Sequence, residues 1–259
     1  MQRKLFFAYG VFSHVLFLAV YAWMAAFVGN FGFGLIRTID SAPTAPFGSA
    51  LAIDALLIAI FGVQHSVMAR PTFKKWWTRI IPPAIERSTY VLISNLLMIL
   101  LMWQWQPLGI AIWDVRAPAA RIALHALFAI GWLMVPAVSL LINHFDLFGT
   151  RQVWLALKGR EYKSDPFRTP LVYAYIRHPL YVGWMIAFWA TPTMSLAHLV
   201  FAVLMTAYML IAIPFEERNL IEHFGDDYRA YRDRTGKLFP KFNRDPLPEF
   251  GSSAATEPM

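Results

Sequence analysis

Cysteine is absent from this sequence of 259 residues. Its absence excludes disulfide bonds, thiolate metal sites and a cysteine nucleophile supplied by the chain itself. Charged residues are also scarce, at 15% of the chain, whereas soluble domains average about 25%. Hydrophobic residues make up 58% of the sequence. Because so few charges cannot cover a water-exposed surface, the composition excludes an ordinary soluble domain and predicts a membrane-embedded protein.

Long apolar runs occur at intervals along the chain, and about 20 apolar residues suffice to cross a bilayer core of roughly 30 Å. The first four runs are Leu5–Val28, Ala50–Ala69, Tyr90–Trp105 and Ile122–Ile142. A fifth stretch, Leu180–Phe215, contains no Asp, Glu, Lys or Arg. The turn sequence Thr191-Pro192-Thr193 divides it into a predicted hairpin, whose first arm we expect to begin near Tyr173. We therefore predict an all-α, polytopic transmembrane helical bundle of five to six spans.

Basic residues are distributed unevenly between the segments that connect these spans. Residues 1–4, 70–89, 143–179 and 216–259 hold 20 of the 23 Lys and Arg residues, and only Arg37, Arg116 and Arg121 lie on the other side. Positive residues flanking membrane spans mark the cytoplasmic side. The pattern predicts an integral membrane protein of the bacterial inner membrane with both termini cytoplasmic. It also explains the net charge of +7 without nucleic acid as a partner.

The end of the chain divides into an amphipathic part and a tail. After Glu216-Glu217, the residues Leu220, Phe224, Tyr228 and Tyr231 recur at helical spacing, which predicts a cytoplasmic C-terminal amphipathic helix. Residues 246–259 are rich in Pro, Ser, Ala and Gly without periodicity, and we predict a disordered tail. Residues 1–245 then form a single membrane-embedded domain.

Two polar blocks flank the predicted hairpin. The first is Arg177-His178-Pro179-x-Tyr181-x-Gly183, in which Pro179 suits the first turn of a helix and Gly183 permits close approach of another group. The second is Glu216-Glu217 with the aromatic residues that follow it. In this order and separation, the two blocks resemble the C-terminal signature of the isoprenylcysteine carboxyl methyltransferase superfamily.

The resemblance implies that both blocks close over S-adenosyl-L-methionine at the cytoplasmic membrane face. The cofactor-binding residues that it implies are Tyr173, Arg177, His178, Pro179, Tyr181, Gly183, Glu216, Glu217 and Tyr228. The chain departs from the pattern at Leu171-Val172, where the family often has Gly-Pro, so we expect a different local loop there.

Other segments narrow the resemblance to the bacterial methanethiol S-methyltransferases, which form dimethyl sulfide. They are Gln64-His65-Ser66, residues 143–152, Pro166-Phe167-Arg168-Thr169-Pro170 and residues 188–194. The resemblance implies a small thiol substrate and contact with membrane lipid, and leaves the oligomeric state open. NnrU-like membrane proteins share part of it. The alternatives are therefore a lipophilic carboxylate or amine as acceptor, or a non-enzymatic NnrU-like protein.

Thiol methylation requires a sulfur lone pair, but a thiol with a pKa of about 8.5 or higher is mostly protonated at neutral pH. A base or a neighbouring cation therefore assists the reaction. The candidate catalytic residues are His65, inside the second span, His144 and Asp146, just after the fourth, and Arg168. No metal is required. By contrast, His14, His125 and His198 lie on apolar runs without a local polar cluster, and we expect them to be structural.

Overall fold

Residues 1–241, the part of the chain that this computed structural model describes, contain ten α-helices, two short 3₁₀ helices and one pair of β-strands. The helices are α1 (Gln2–Val28), α2 (Phe47–Met68), α3 (Pro71–Trp77), α4 (Glu86–Gln104), α5 (Pro118–Ile142), α6 (His144–Leu147), α7 (Thr150–Leu157), α8 (Pro179–Trp189), α9 (Leu196–Phe224) and α10 (Asp226–Arg234). The strands β1 (Ala111–Asp114) and β2 (Thr193–Ser195) pair antiparallel. The prediction of an all-α polytopic bundle is confirmed.

Five helices of the described chain, α1, α2, α4, α5 and α9, are long and apolar enough to cross a membrane. Helix α8 has 11 residues, a length of about 16 Å against the roughly 30 Å of a bilayer core. It nevertheless leads to β2, which pairs with β1 in the connection between α4 and α5. The chain therefore passes through the bundle six times, and the fifth passage is a short helix followed by the non-helical residues 190–192.

The start of the hairpin differs from the prediction. Helix α8 begins at Pro179, and Tyr173 lies outside it in the 3₁₀ turn Leu171–Ala174. Proline disfavours helical backbone in the residue before it, and His178 accordingly has φ −123° and ψ 59°. The predicted break at Thr191-Pro192-Thr193 is confirmed, since α8 ends at Trp189 and β2 begins at Thr193.

The bundle has two ends, which we call the terminal face and the opposite face. The terminal face comprises residues 1–4, 70–89, 143–179 and 216–241, and is the predicted cytoplasmic side. The opposite face contains the β1–β2 pair and the α1–α2 connection, where Asn30 Nδ2 donates a hydrogen bond to Asp40 Oδ2 over 2.6 Å and Ser195 Oγ donates one to Asp40 Oδ1. These contacts hold the α1–α2 connection against the start of α9.

The amphipathic C-terminal stretch forms two helices rather than one. Helix α9 runs to Phe224, and Gly225, with φ +60°, separates it from α10. This left-handed backbone favours glycine, so the chain changes direction there. Tyr228 and Tyr231 of α10 are 2% and 3% exposed, so their rings pack into the protein. The predicted tail, residues 246–259, lies outside the described residues.

Candidate active site

The two polar blocks meet at a buried ion-pair network on the terminal face. Arg177 Nε donates a hydrogen bond to Glu217 Oε1 over 2.8 Å, and His178 Nε2 lies 3.0 Å from the same oxygen. Arg177 Nη1 also donates to the carbonyls of Arg232, over 2.8 Å, and Thr235. A buried guanidinium with these partners is satisfied in charge and in hydrogen bonding. The network therefore ties the start of α8 to α9 and to the end of α10.

The neighbouring carboxylate of Glu216 has a different environment. Its Oε2 accepts a hydrogen bond from the Tyr181 hydroxyl over 2.8 Å, and its side chain is 46% exposed, against 12% for Glu217. The rings of His178 and Tyr181 stack with centroids 5.5 Å apart and an interplanar angle of 7°. Because successive helical residues point in different directions, Glu217 holds the framework while Glu216 keeps acceptor capacity for a ligand.

A cavity of about 910 Å³ opens beside this network. Its walls come from the end of α5, the segment 164–173, the start of α8, the end of α9 and α10. The predicted site residues that line it are Asp146, Arg168, Tyr173, Arg177, His178, Tyr181, Glu216 and Tyr228. Glu217, Pro179 and Gly183 are not among its lining residues. The structure thus brings together most of the predicted cofactor residues and two of the four predicted catalytic ones.

Aromatic rings form one wall of the cavity. The ring of Phe167 lies 5.1 Å from Phe224, 5.8 Å from Tyr228 and 5.4 Å from Tyr231, measured between centroids. Burial raises the pKa of Tyr173 and, with the added effect of Glu217, that of Tyr228. Both phenols therefore stay protonated at neutral pH. The wall offers flat apolar surface together with hydroxyl groups that can donate hydrogen bonds.

The cavity lining also includes a charge cluster of which the sequence analysis selected Asp146 but missed Arg151 and Asp165. Arg151 Nη2 lies 3.0 Å from Asp165 Oδ1, and its Nη1 lies 3.5 Å from Asp146 Oδ1. Asp146 also accepts hydrogen bonds from Gln152 Nε2 and from the Tyr162 hydroxyl, each over 2.9 Å. Arg151 belongs to the polar run 143–152, and this run was the sequence feature that could have indicated it. No sequence feature indicated Asp165, because its partner Arg151 is not a neighbour in the sequence.

Glycine at position 183 serves helix packing in this structure. A Cβ on Gly183 would lie 3.2 Å from Val135 Cγ2 and 3.3 Å from the Gly131 carbonyl oxygen, and a Cβ on Gly131 would lie 2.6 Å from the Ala187 nitrogen. The backbones of α5 and α8 therefore approach closely. Pro179 is the first residue of α8. The predicted contact of Gly183 and Pro179 with a cofactor remains a prediction.

The two predicted histidine bases lie away from the cavity. His65 lies between α2 and α4, with Nε2 2.8 Å from the Tyr90 hydroxyl and Nδ1 3.2 Å from Ser94 Oγ. His144 has Nε2 3.0 Å from Nε2 of His14, and its Nδ1 lies 2.7 Å from Ser139 Oγ. Neither predicted base lines the cavity, so their catalytic roles also remain predictions.

Comparison with known proteins decides the family. A protein of Mycobacterium tuberculosis named methanethiol S-methyltransferase is 48% identical over 240 residues, which cover 93% of this chain and 98% of the relative. One of the same name from Crocosphaera subtropica is 47% identical over 240 residues, covering 93% of each chain. The chain belongs to the methanethiol S-methyltransferase family.

Two more distant comparisons match parts of the chain. The family model described as phospholipid methyltransferase matches residues 159–227, a segment that contains the first polar block and Glu216-Glu217 of the second. Mouse Nurim is 30% identical over 186 residues, which cover 66% of this chain and 68% of Nurim. No solved structure matches significantly. The protein is therefore a methyltransferase of an integral membrane family, as the resemblance implied.

Proposed function

We propose that this enzyme transfers the methyl group of S-adenosyl-L-methionine to methanethiol, forming dimethyl sulfide, at the cytoplasmic membrane face. The observation that supports this most is the cavity where the two polar blocks meet, with the open carboxylate of Glu216 and the guanidinium of Arg168 both lining it. The names of the most similar relatives supply the thiol. The basic residues of the terminal face support the cytoplasmic assignment.

The cavity suits the proposed cofactor in size and in chemistry. Its volume of about 910 Å³ lies within the range of about 300–1,000 Å³ for small-molecule sites. The aromatic wall around Phe167 suits a flat purine, and Glu216 can accept hydrogen bonds from hydroxyl or ammonium groups. Arg168 suits the carboxylate of an amino acid. Bound there, S-adenosyl-L-methionine supplies an electrophilic methyl group carried on a sulfonium sulfur.

The protein's own residues position the donor. The Arg177–Glu217–His178 network fixes the start of α8, and Tyr181 fixes the orientation of Glu216 by its hydrogen bond. The ring of Tyr181, which stacks on His178, offers an electron-rich face to a cation, worth about 0.5–2 kcal/mol. Holding donor and acceptor in line turns a bimolecular encounter into an effectively unimolecular step, which accounts for much of the expected rate enhancement.

The reaction is tested with purified protein, cofactor labelled in its methyl group, and methanethiol. We expect labelled dimethyl sulfide in the headspace. Bound cofactor without a volatile product would overturn the substrate assignment. Because the phospholipid methyltransferase model matches residues 159–227, a parallel reaction offers a phospholipid amine as acceptor. Label in the lipid fraction alone would favour this second function.

The cofactor site is tested separately by equilibrium binding. We expect Glu216→Gln to weaken cofactor binding at least tenfold, because the neutral amide loses a charge-assisted hydrogen bond worth about 1.5–3 kcal/mol. Asp226→Asn is the matched control, since Asp226 is an exposed acidic residue at the start of α10, outside the cavity lining. Equal affinities in the two variants would remove Glu216 from the cofactor site.

A further inference from the structure

A second concave region, which we call the α1 groove, lies beside the cavity on the outside of the bundle. It encloses about 600 Å³ and has almost entirely apolar walls. Its lining residues are Phe7, Val11, His14, Val15 and Leu18 of α1, with Asn143, Phe145, Thr150, Arg151 and Trp154 from the α5–α7 region. Val15 is 59% exposed, and Phe145 and Trp154 are exposed as well. Because α1 is long and apolar enough to span the membrane and exposes Val11, Val15 and Leu18, contact with lipid is favoured on this side of the groove.

His14 lines the groove, and His144 lies behind it with its Nε2 3.0 Å from Nε2 of His14. We assign the Ser139 hydroxyl proton to the Pro136 carbonyl, 2.8 Å away, which makes Ser139 Oγ the acceptor for Nδ1 of His144 at 2.7 Å. Nε2 of neutral His144 is then an acceptor, and His14 donates to it from its own Nε2. Burial lowers the pKa of His144, which keeps its ring neutral.

This arrangement leaves Nδ1 of His14 without a proton. The nearest polar group is Thr150 Oγ1, 3.4 Å away, whose hydroxyl proton is donated to the Phe145 carbonyl over 3.0 Å. A proton arriving at His14 Nδ1 can be donated to Thr150 Oγ1 in an N–H···O hydrogen bond. His14 is thus prepared to accept one proton from a molecule in the groove.

The α1 groove adjoins the cavity that we propose for the methyl donor. Asn143 and Arg151 line both, so these two side chains form the partition between them. Nη2 of Arg151 is paired with Asp165, and its buried Nη1, which lies 3.5 Å from Asp146 Oδ1, makes no hydrogen bond within residues 1–241. This Nη1 group therefore keeps a donor that can hydrogen-bond an anion passing from the groove to the cavity.

We propose that the α1 groove binds small uncharged thiols arriving from the bilayer and that His14 removes their proton. The inference rests on the proposed function and specifies its substrate route. The S–H bond breaks with its electron pair remaining on sulfur, and the proton forms an N–H bond at Nδ1 of His14. The thiolate, stabilised by Arg151, uses that pair to accept the methyl group. The proton then passes to solvent.

The residues define separate roles for the two histidines. His14 lines the groove and contacts the thiol, so it is the catalytic residue, whereas His144 lies behind it and acts as a positioning residue that fixes the tautomer of His14. A charged or strongly hydrated acceptor would lose its water against the apolar walls that make up most of this groove. A small neutral thiol loses little hydration on entering the groove, and it gains contact with the apolar walls.

Binding in the groove is measured without cofactor or turnover. Because the chain has no cysteine, Val15→Cys introduces a single thiol, which is alkylated with N-ethylmaleimide in detergent micelles with and without diethyl sulfide, an unreactive analogue. We expect the sulfide to slow alkylation at least threefold. Val203→Cys is the matched control, since Val203 is 45% exposed on α9 and is not a groove residue. Its alkylation should be unchanged.

The outcomes of this labelling experiment separate the possible occupants. Equal protection at both positions, or none at Val15→Cys, would overturn the groove as a thiol site. Protection by a long-chain amphiphile but not by diethyl sulfide would assign the groove to a lipid acyl chain and would also overturn the proposal. If the wild type methylates methanethiol and Val15→Cys shows no protection, the proposed function stands and the route fails.

Proton removal by His14 is measured with thiols of different acidity. General-base catalysis contributes about 10²–10⁴-fold, so we expect His14→Gln to lower kcat/KM for ethanethiol at least 100-fold. Trifluoroethanethiol ionises far more readily, and its kcat/KM should fall less than tenfold. His144→Gln should show the same dependence on thiol acidity with a smaller loss. Cofactor affinity should stay at the wild-type value in both variants.

A purely structural role for His14 predicts a different result. Both thiols would then lose activity by the same factor, and cofactor affinity would fall with it. Equal losses for the two thiols, or a full retention of activity with ethanethiol, would overturn the assignment of His14. Absence of product in the wild type with every thiol would instead refute the proposed function, while the labelling experiment would still report on the groove.

Discussion

Glu217→Ala tests the claim that a buried ion pair holds the two polar blocks together. The substitution removes the carboxylate that accepts from Arg177 and His178, whose side chains are only 7% and 4% exposed. The guanidinium of Arg177 then remains buried without a counter-charge. Loss of one partner from a buried pair costs about 3–5 kcal/mol. At about 2–4 °C per kcal/mol for a chain of this size, the melting temperature should fall by roughly 6–20 °C.

The assay is thermal unfolding of the purified protein in detergent, followed by a fluorescent or light-scattering signal. Glu217→Gln isolates the effect of the charge, because the amide oxygen can still accept both hydrogen bonds. Its melting temperature should therefore fall less than that of Glu217→Ala. Glu216→Gln is the control, with an expected shift within about 2 °C because the side chain is exposed. Equal shifts for Glu217→Ala and Glu216→Gln would refute the division of roles between the two carboxylates.

Three further predictions concern packing, pH and the Tyr181 hydroxyl. Gly131→Ala should destabilise the protein by about 1–3 kcal/mol in thermal unfolding, because its Cβ would lie 2.6 Å from the Ala187 backbone nitrogen, whereas Gly48→Ala, with nothing within 4 Å, should be neutral or stabilising. Burial alone would raise the pKa of Asp40, but contacts with His198, Ser195 and Asn30 outweigh it and lower that pKa. The stabilisation by Asp40 is therefore complete above its unfolded pKa of about 3.9 and disappears as the pH falls further, so Asp40→Asn should be destabilised at pH 7 and should approach the wild type in melts towards pH 3. Tyr181→Phe should weaken cofactor binding about tenfold in equilibrium titrations without lowering the melting temperature, since it removes the hydroxyl that orients Glu216; unchanged affinity would contradict that role.

Much of the fold could be predicted from the sequence because the bilayer imposes simple constraints on a chain. The length of an apolar run locates a membrane span, and the long helices α1, α2, α4, α5 and α9 accordingly coincide with predicted runs. The turn at Thr191-Pro192-Thr193 likewise marked the break between α8 and α9. The two polar blocks could also be recognised because their residues lie close together in sequence. The short helix α8 was harder to delimit, since only the pairing of β2 with β1 shows that it reaches the opposite face.

The division of labour between neighbouring residues was decided by tertiary structure. Glu216 and Glu217 are identical in chemistry and adjacent in sequence, but the helix turns one towards the cavity and the other towards Arg177. Similarly, nothing near His14 in sequence distinguishes it from a packing histidine. Its partner His144 is 130 residues away, and only the folded bundle places both rings in contact.

The sequence by itself therefore determined the membrane class, the positions of the long spans and the family, because each depends on composition or on motifs that are local in the chain. The tertiary structure decided which carboxylate is open, where the cavity and the α1 groove adjoin, and which histidine faces the groove. These features depend on distances between residues that are far apart in the chain, and those distances are set by how the helices pack.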